Sequence, residues 1–136
     1  MPIDKSLTDN VIDAFYTVYN KLGFGFTKDI YENALIVEFK KRGLTWVLQK
    51  RYPVYYKGHE VGEFFADFVV NNTIMLEVKI FDTLVEGAEH QLESYLRASD
   101  IEVGFVLSFG MEPNYIRKIY ANKDKDQTKK ISKKTL

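Results

Sequence analysis

Charged side chains interrupt this chain where it is otherwise most apolar. Asp67 stands inside Phe64-Phe65-Ala66-Asp67-Phe68-Val69-Val70, and Glu77 and Lys79 stand inside Ile74-Met75-Leu76-Glu77-Val78-Lys79-Ile80. Both runs have the length and residue types of buried strands. A third acid, Glu32, precedes Leu35, Ile36 and Phe39 by three, four and seven residues, which places it on the apolar stripe of a helix. An ionised group buried without a partner costs several kcal/mol even after the protein relaxes around it. A fold that accepts these residues must therefore bring neutralising groups to them.

The rest of the chain supplies a scaffold for one such site. Its 136 residues are 46% hydrophobic and 15% aromatic, which suits one α/β or α+β domain with a core of its own. There is no cysteine, so disulfides and thiolate metal sites are excluded. No apolar run approaches the ~20 residues that span a bilayer, and Met-Pro-Ile-Asp-Lys-Ser lacks the layout of a signal peptide. The expectation is a soluble, cytoplasmic protein with no membrane partner. The net charge of zero conceals an asymmetry, because residues 123–136 hold six lysines and two aspartates, leaving −4 on residues 1–122. A mildly acidic body disfavours general, charge-driven nucleic-acid binding unless some carboxylates are metal ligands.

Hydrophobic spacing divides the chain. Leu7, Val11, Ile12, Phe15, Val18, Tyr19 and Leu22 predict a first helix with a capping box at Ser6 and Asp9, and a second helix runs over 28–41 to Gly43. Strands follow over 46–56, 60–70 and 73–81, joined at Lys57-Gly58-His59 and Asn71-Asn72. A third helix over 86–98 and an apolar strand over 103–108 come next, while 115–121 fits a strand or a helical turn. The order α-α-β-β-β-α-β predicts a sheet packed by helices, in one domain over 1–121. The lysine-rich remainder, 122–136, has no apolar period and reads as disordered.

The chemistry suited to this constellation is metal-assisted hydrolysis. Glu77 and Lys79 are two apart on one strand and share a face. Asp67 joins them only if it pairs opposite Glu77, so that partner numbers sum to 144, which requires an odd loop such as Asn71-Asn72-Thr73 with Asn72 left-handed. Mg²⁺ or Mn²⁺ takes hard oxygen ligands, and Asp67, Glu77 and the Val78 carbonyl would supply them, with Glu32 taking a second metal or a metal-bound water. Lys79 would position or deprotonate the attacking water. Gln91 and Tyr95, one helical turn apart, would hold a phosphate or order the lysine. The bland rival is a salt bridge of Lys79 with Asp67 or Glu77 at a sheet edge. His59 and His90 read as surface residues, and Trp46 with the aromatics at 52, 55, 56, 64, 65 and 68 reads as core. Gly23-x-Gly25 follows a helix, which argues against a dinucleotide loop.

Several segments together resemble a known group: Asn20-Lys21-Leu22-Gly23-Phe24-Gly25, Ile30-Tyr31-Glu32-Asn33-Ala34-Leu35, Phe65-Ala66-Asp67, Leu76-Glu77-Val78-Lys79 and Gln91-Leu92-Glu93-Ser94-Tyr95-Leu96. In that order, over about residues 5–121, they look like the GxxExxY family of the PD-(D/E)XK nuclease superfamily. The resemblance implies an α/β (α+β) restriction-endonuclease-like core, a central mixed sheet flanked by helices, with Asp67, Glu77 and Lys79 as the catalytic motif. It also implies a RecB-like QxxxY element at Gln91 and Tyr95, and Glu32 as the acid of the first core helix. Two positions depart from the pattern. The namesake glutamate falls on Lys28, a change expected at the helix N-terminus more than at the metal, and Phe65 replaces a basic residue before Ala-Asp. The implied function is Mg²⁺-dependent hydrolysis of nucleic acid, DNA more than RNA. A catalytically inactive interaction module is the alternative, and a homodimer or protein partner is left open.

Overall fold

The computed structural model describes residues 3–80 and 86–125. Helix α1 covers Lys5–Leu22 and α2 covers Lys28–Lys41. Strands β1 (Trp46–Tyr56), β2 (His59–Val70) and β3 (Ile74–Lys79) follow, then α3 (Glu86–Arg97), β4 (Val103–Phe109) and β5 (Pro113–Ile119). A single 3₁₀ turn, Asn122–Lys125, ends the described chain. The five strands form one mixed sheet in sequence order. β1, β2 and β3 pair antiparallel, as do β4 and β5, whereas β3 and β4 pair parallel. A parallel neighbour needs a crossover, and α3 provides it.

The sheet is covered on both sides. On one face Val11, Phe15 and Val18 of α1 and Tyr31, Leu35 and Phe39 of α2 pack on Phe68, Val70, Leu76, Val78, Phe105 and Phe109. Phe39 meets Phe68 edge-on at 5.5 Å, and Tyr31 stacks on Phe109 at 4.2 Å. On the other face Leu92 and Leu96 of α3 pack against Phe64, Ala66, Val69, Met75 and Val106. β4 is buried at every position, as expected of a strand with helices on both sides.

Two turns fix the register. Lys57 and Gly58 both adopt positive φ, the geometry of a two-residue hairpin turn. A bulge then leaves Val61 unpaired, and partner numbers sum to 116 from Val54↔Gly62 to Trp46↔Val70. Between β2 and β3 the loop is three residues, Asn71 to Thr73, with Asn71 (φ 50°) and Asn72 (φ 58°) left-handed and the Thr73 N–H on the Val70 carbonyl. Asparagine tolerates that region better than other residues with a Cβ. The pairs Phe68↔Leu76, Val69↔Met75 and Val70↔Ile74 all sum to 144, the register that sets Asp67 across from Glu77.

Several expectations shift. The N-cap of α1 is Asp4, whose carboxylate accepts from the Leu7 N–H at 3.1 Å, in place of Ser6. Residues 113–119 are a strand, which settles the ambiguity there. Strand β3 stops at Lys79, and the expected residue Phe81 lies outside the described residues. Tyr56 and Phe65 are exposed where a core position was expected: Tyr56 borders the hairpin turn, and Phe65 faces away from the layer on which Phe64 and Ala66 pack. Residues 122–125, expected to begin a disordered tail, are instead tied to the body. Asn122 donates to Glu102 and to the Asp100 carbonyl, and the buried Lys125 ammonium donates to the carbonyls of Ser99 (3.0 Å) and Ile101 (2.7 Å). The remaining tail lies outside the described residues.

Gly104 marks the tightest approach between sheet and helix. A Cβ there would stand 2.9 Å from Leu92 Cδ1 and 3.1 Å from the Met75 carbonyl oxygen. Since the carbonyl belongs to the adjacent strand, it cannot rotate away. Gly104→Ala is expected to destabilise the protein by about 1–3 kcal/mol in urea unfolding, and an unchanged midpoint would show that α3 sits more loosely than described.

Candidate active site

The site forms where the β2–β3 ladder ends. Asp67 and Glu77 are each only 5% exposed, and each carboxylate accepts a hydrogen bond from the main chain of the other strand. The Asp67 N–H donates to Glu77 Oε2 at 3.1 Å, and the Val78 N–H donates to Asp67 Oδ2 at 2.8 Å. The carboxylates thus continue the ladder beyond Phe68↔Leu76 by side-chain acceptors. Anionic acceptors on buried N–H groups make stronger bonds than neutral ones, which is how the strands tolerate charge in their midst.

Asp67 also marks a reversal in β2. Strict alternation would keep residues 64, 66, 68 and 70 on one face. Instead Phe64 and Ala66 pack on the α3 side, whereas Phe68 and Val70 pack beneath α1 and α2. Across from Asp67, between the pairs Leu48↔Phe68 and Lys50↔Ala66, stands Gln49 with φ of 50°. A left-handed glutamine inside a strand costs on the order of 1–3 kcal/mol. Its amide donates to Asp67 Oδ1 at 3.1 Å, an interaction that holds the residue in place.

The helices contribute from opposite sides. Along α2, Lys28 and Glu32 extend the stripe of Leu35 and Phe39 past the end of the core. The Lys28 ammonium lies 2.9 Å from Asp67 Oδ2. Partial burial alone would push its pKa down, but the hydrogen bond to Asp67 and the charges of Asp67, Glu32 and Glu77 outweigh burial and raise it. Glu32 is raised above the usual carboxylate range, first by burial and then by the charge of Asp67. Its Oε2 is buried and finds no hydrogen-bond partner among the described residues. From α3, Tyr95 stacks on Phe64 at 3.9 Å, and Phe64 stacks on Tyr52 at 5.3 Å. Burial and then the charges of Glu77 and Asp67 raise the Tyr95 phenol.

The expected residues therefore assemble unevenly. Asp67, Glu77, Glu32 and Tyr95 share one electrostatic neighbourhood, and Lys79 acts on Glu77 through its charge. Gln91 is exposed and makes none of these contacts among the described residues. Val78 contributes its N–H, which bonds Asp67. The expected salt-bridge rival is also changed, because the ion pair on Asp67 comes from Lys28 and not from Lys79. Lys28, which opens α2 at the helix terminus as expected, also reaches Asp67. Its position one turn before Glu32 on the same stripe was the available signal. Gln49 carried none, because its placement depends on the bulge at Val61.

The donor set suits a hard divalent cation. Burial first, and then the charge of Asp67, push Glu77 up to about 7, and Glu32 offers an unused buried oxygen. Both observations mark a surplus of carboxylate over available cation. Among the described residues, however, no three acidic or histidine side chains are gathered into a ready metal cage. Lys28 and Gln49 already engage the Asp67 oxygens.

The raised Glu77 pKa has a thermodynamic sign. In the folded protein Glu77 keeps its proton to about pH 7, whereas the unfolded chain loses it from about pH 4.5 upward. Across that window the unfolded state binds fewer protons, so stability falls as pH rises and levels off above 7. Glu77→Gln, whose amide oxygen can still accept from the Asp67 N–H, should flatten this part of the profile. It should stabilise the metal-free protein above pH 7 by about 1–3 kcal/mol. Thermal melts from pH 4 to 9 provide the measurement, and parallel profiles for the two proteins would contradict the assignment.

The described residues contain no helix long and apolar enough to cross a membrane. No curated protein and no solved structure gives a match. A family model described as the PD-(D/E)XK nuclease superfamily matches residues 5–119, which contain every element from α1 to β5. The mixed five-stranded sheet with its three helices agrees with a restriction-endonuclease-like core. By that match, over most of its length, the chain belongs to the PD-(D/E)XK nuclease superfamily.

Proposed function

We propose that this protein is a divalent-metal-dependent nuclease that hydrolyses phosphodiester bonds of DNA. The observation that carries the reading is the reciprocal pairing of the Asp67 and Glu77 carboxylates with main-chain N–H groups at the end of the β2–β3 ladder, two residues from Lys79. Superfamily membership supports the same assignment. Asp67 and Glu77 would hold Mg²⁺ or Mn²⁺, with the Val78 carbonyl and Glu32 completing the protein's share. When bound, such an ion lowers the pKa of a coordinated water and offsets charge on the phosphate.

The remaining chemistry belongs to the side chains. Lys79 holds the attacking water, whose proton passes to bulk solvent as the water oxygen bonds to phosphorus. The phosphorus–oxygen bond to the leaving strand breaks, and the departing oxygen takes up a proton. Tyr95, fixed by its stack on Phe64, offers a phenol beside Glu77 for orienting Lys79 or a phosphate oxygen. The exposed Gln91 is available to contact substrate from the same helix. Phe65 provides no charge for a phosphate, and its side chain is 44% exposed two residues before Asp67.

A second reading rests on a specific contact. Lys28 already neutralises Asp67, which is the state expected of a nuclease fold retained as a non-catalytic interaction module. The mildly acidic body agrees with a protein partner.

Nicking of supercoiled plasmid separates the readings. Cleavage in Mg²⁺ or Mn²⁺ is expected, with Lys79→Ala lowering the rate by at least about a hundredfold while its circular dichroism stays native. Absence of metal-dependent cleavage on both DNA and RNA would select the interaction module. Tyr95→Phe keeps the stack and removes only the hydroxyl, so a loss of roughly tenfold in rate at unchanged melting temperature is expected if the phenol orients a reacting group.

A further inference from the structure

Lys28 is the cation that the carboxylate cluster holds at rest. Its ammonium sits 2.9 Å from Asp67 Oδ2, the same oxygen that accepts from the Val78 N–H. It is half-buried and lies on the helix that carries Glu32, one turn away. Glu32 and Glu77 both add to the negative field that holds it there. On the opposite side Gln49, in a strained left-handed conformation, engages the second Asp67 oxygen. Both oxygens of Asp67 therefore have partners before any other ligand arrives.

We propose that Lys28 is a built-in competitor for the metal position, a tethered cation that a divalent ion must displace from Asp67 before the site is loaded. The inference rests on the metal-binding reading of Asp67 and Glu77 given above. Its physical basis is one of valence and reach. The cluster's acids outnumber the cations it can reach, so a monovalent ammonium satisfies Asp67 but leaves Glu32 Oε2 without a partner among the described residues. A divalent ion on the same carboxylates would supply the missing charge, but only after the ammonium has moved. The Lys28 side chain is 41% exposed, so its head can swing into solvent at small cost once released. A tethered competitor lowers apparent metal affinity in proportion to the fraction of molecules in which it is seated. It also spares the metal-free protein from a pair of buried, uncompensated charges. A glutamate at position 28 would do the reverse, adding a ligand and leaving the empty site more repulsive.

Mn²⁺ binding to the full chain, followed by electron paramagnetic resonance of the free ion together with thermal melts, tests the idea. Lys28→Gln is expected to melt lower than the parent without metal, to bind Mn²⁺ roughly tenfold or more tightly, and to recover its melting temperature as the ion binds. Adding Asp67→Asn to Lys28→Gln should abolish that gain. Equal Mn²⁺ affinity in the parent and Lys28→Gln would overturn the competitor role while leaving the metal-dependent reading intact. No Mn²⁺ binding to either protein, with both folded, would overturn both. Should Lys28→Gln fail to fold, the parent alone suffices. The side-chain ammonium resonance of Lys28, observed with ¹⁵N-labelled lysine, should lose its exchange protection as Mg²⁺ is titrated. Its persistence at saturating Mg²⁺ would overturn the proposal.

Discussion

Two hydrogen bonds at the end of the β2–β3 ladder organise the rest of the molecule. The Asp67 N–H to Glu77 and the Val78 N–H to Asp67 allow two adjacent strands to carry carboxylates into a region that is almost closed to solvent. Each bond satisfies a main-chain donor that would otherwise be orphaned and gives a buried carboxylate a fixed partner. Neither residue can be replaced by an apolar one without stranding a donor on the other strand. Because the bonds are reciprocal, the two carboxylates are fixed relative to one another by the backbone, independently of any ligand. That is the kind of support that a reactive constellation needs to stay within narrow tolerances.

The architecture places these carboxylates between two layers. The α1–α2 layer delivers Lys28 and Glu32 through a stripe whose buried part is Leu35 and Phe39. The α3 layer delivers Tyr95, held by the Tyr52–Phe64–Tyr95 stack. Asp67 can face groups from both because β2 exchanges its faces at that residue. The exchange is not free of strain, as the left-handed Gln49 opposite Asp67 indicates. Strain of this kind persists where surrounding contacts over-determine the backbone, and it gathers at sites of chemistry.

Much of this was legible in the chain. The second helix and first strand fall at the expected bounds, because Gly43 and the change from helical to alternating spacing mark them clearly. The requirement that Asp67 face Glu77 is met by the three-residue loop, with both asparagines left-handed. The contributions of Lys28 and Gln49 were less visible, for different reasons. Helical spacing sets Lys28 on the stripe of Glu32, but the residue precedes the buried part of its helix, so its reach to Asp67 depends on how far the sheet extends beneath it. Gln49 reaches Asp67 only because Val61 is bulged out. Without that extra residue the hairpin turn would set Leu48 opposite Asp67, and nothing in the residue pattern of β2 demands the bulge. Asp4 displaced Ser6 as the N-cap because either residue type can cap and the helix simply starts earlier. Gln91 was placed by its one-turn spacing from Tyr95 and by a motif resemblance, neither of which carries the rotation of α3 about its axis.

The charges explain why such a site survives in a folded chain. Asp67, Glu77 and Glu32 face Lys28 and, near Glu77, Lys79, so the carboxylates exceed the ammonium groups by one. Among the described residues, the excess appears in the two acids of this cluster that no ammonium contacts directly: Glu77, whose pKa is pushed up to about 7, and Glu32, with an idle oxygen. Removing Lys28 would enlarge this imbalance and favour the unfolded chain, whereas removing Glu77's charge would reduce it. A divalent ion that displaced Lys28 would bring the charges into balance. The same arithmetic that makes the metal-free site tolerable therefore limits how readily it is loaded, and both effects are exerted on the one oxygen of Asp67 that the Val78 amide holds in place.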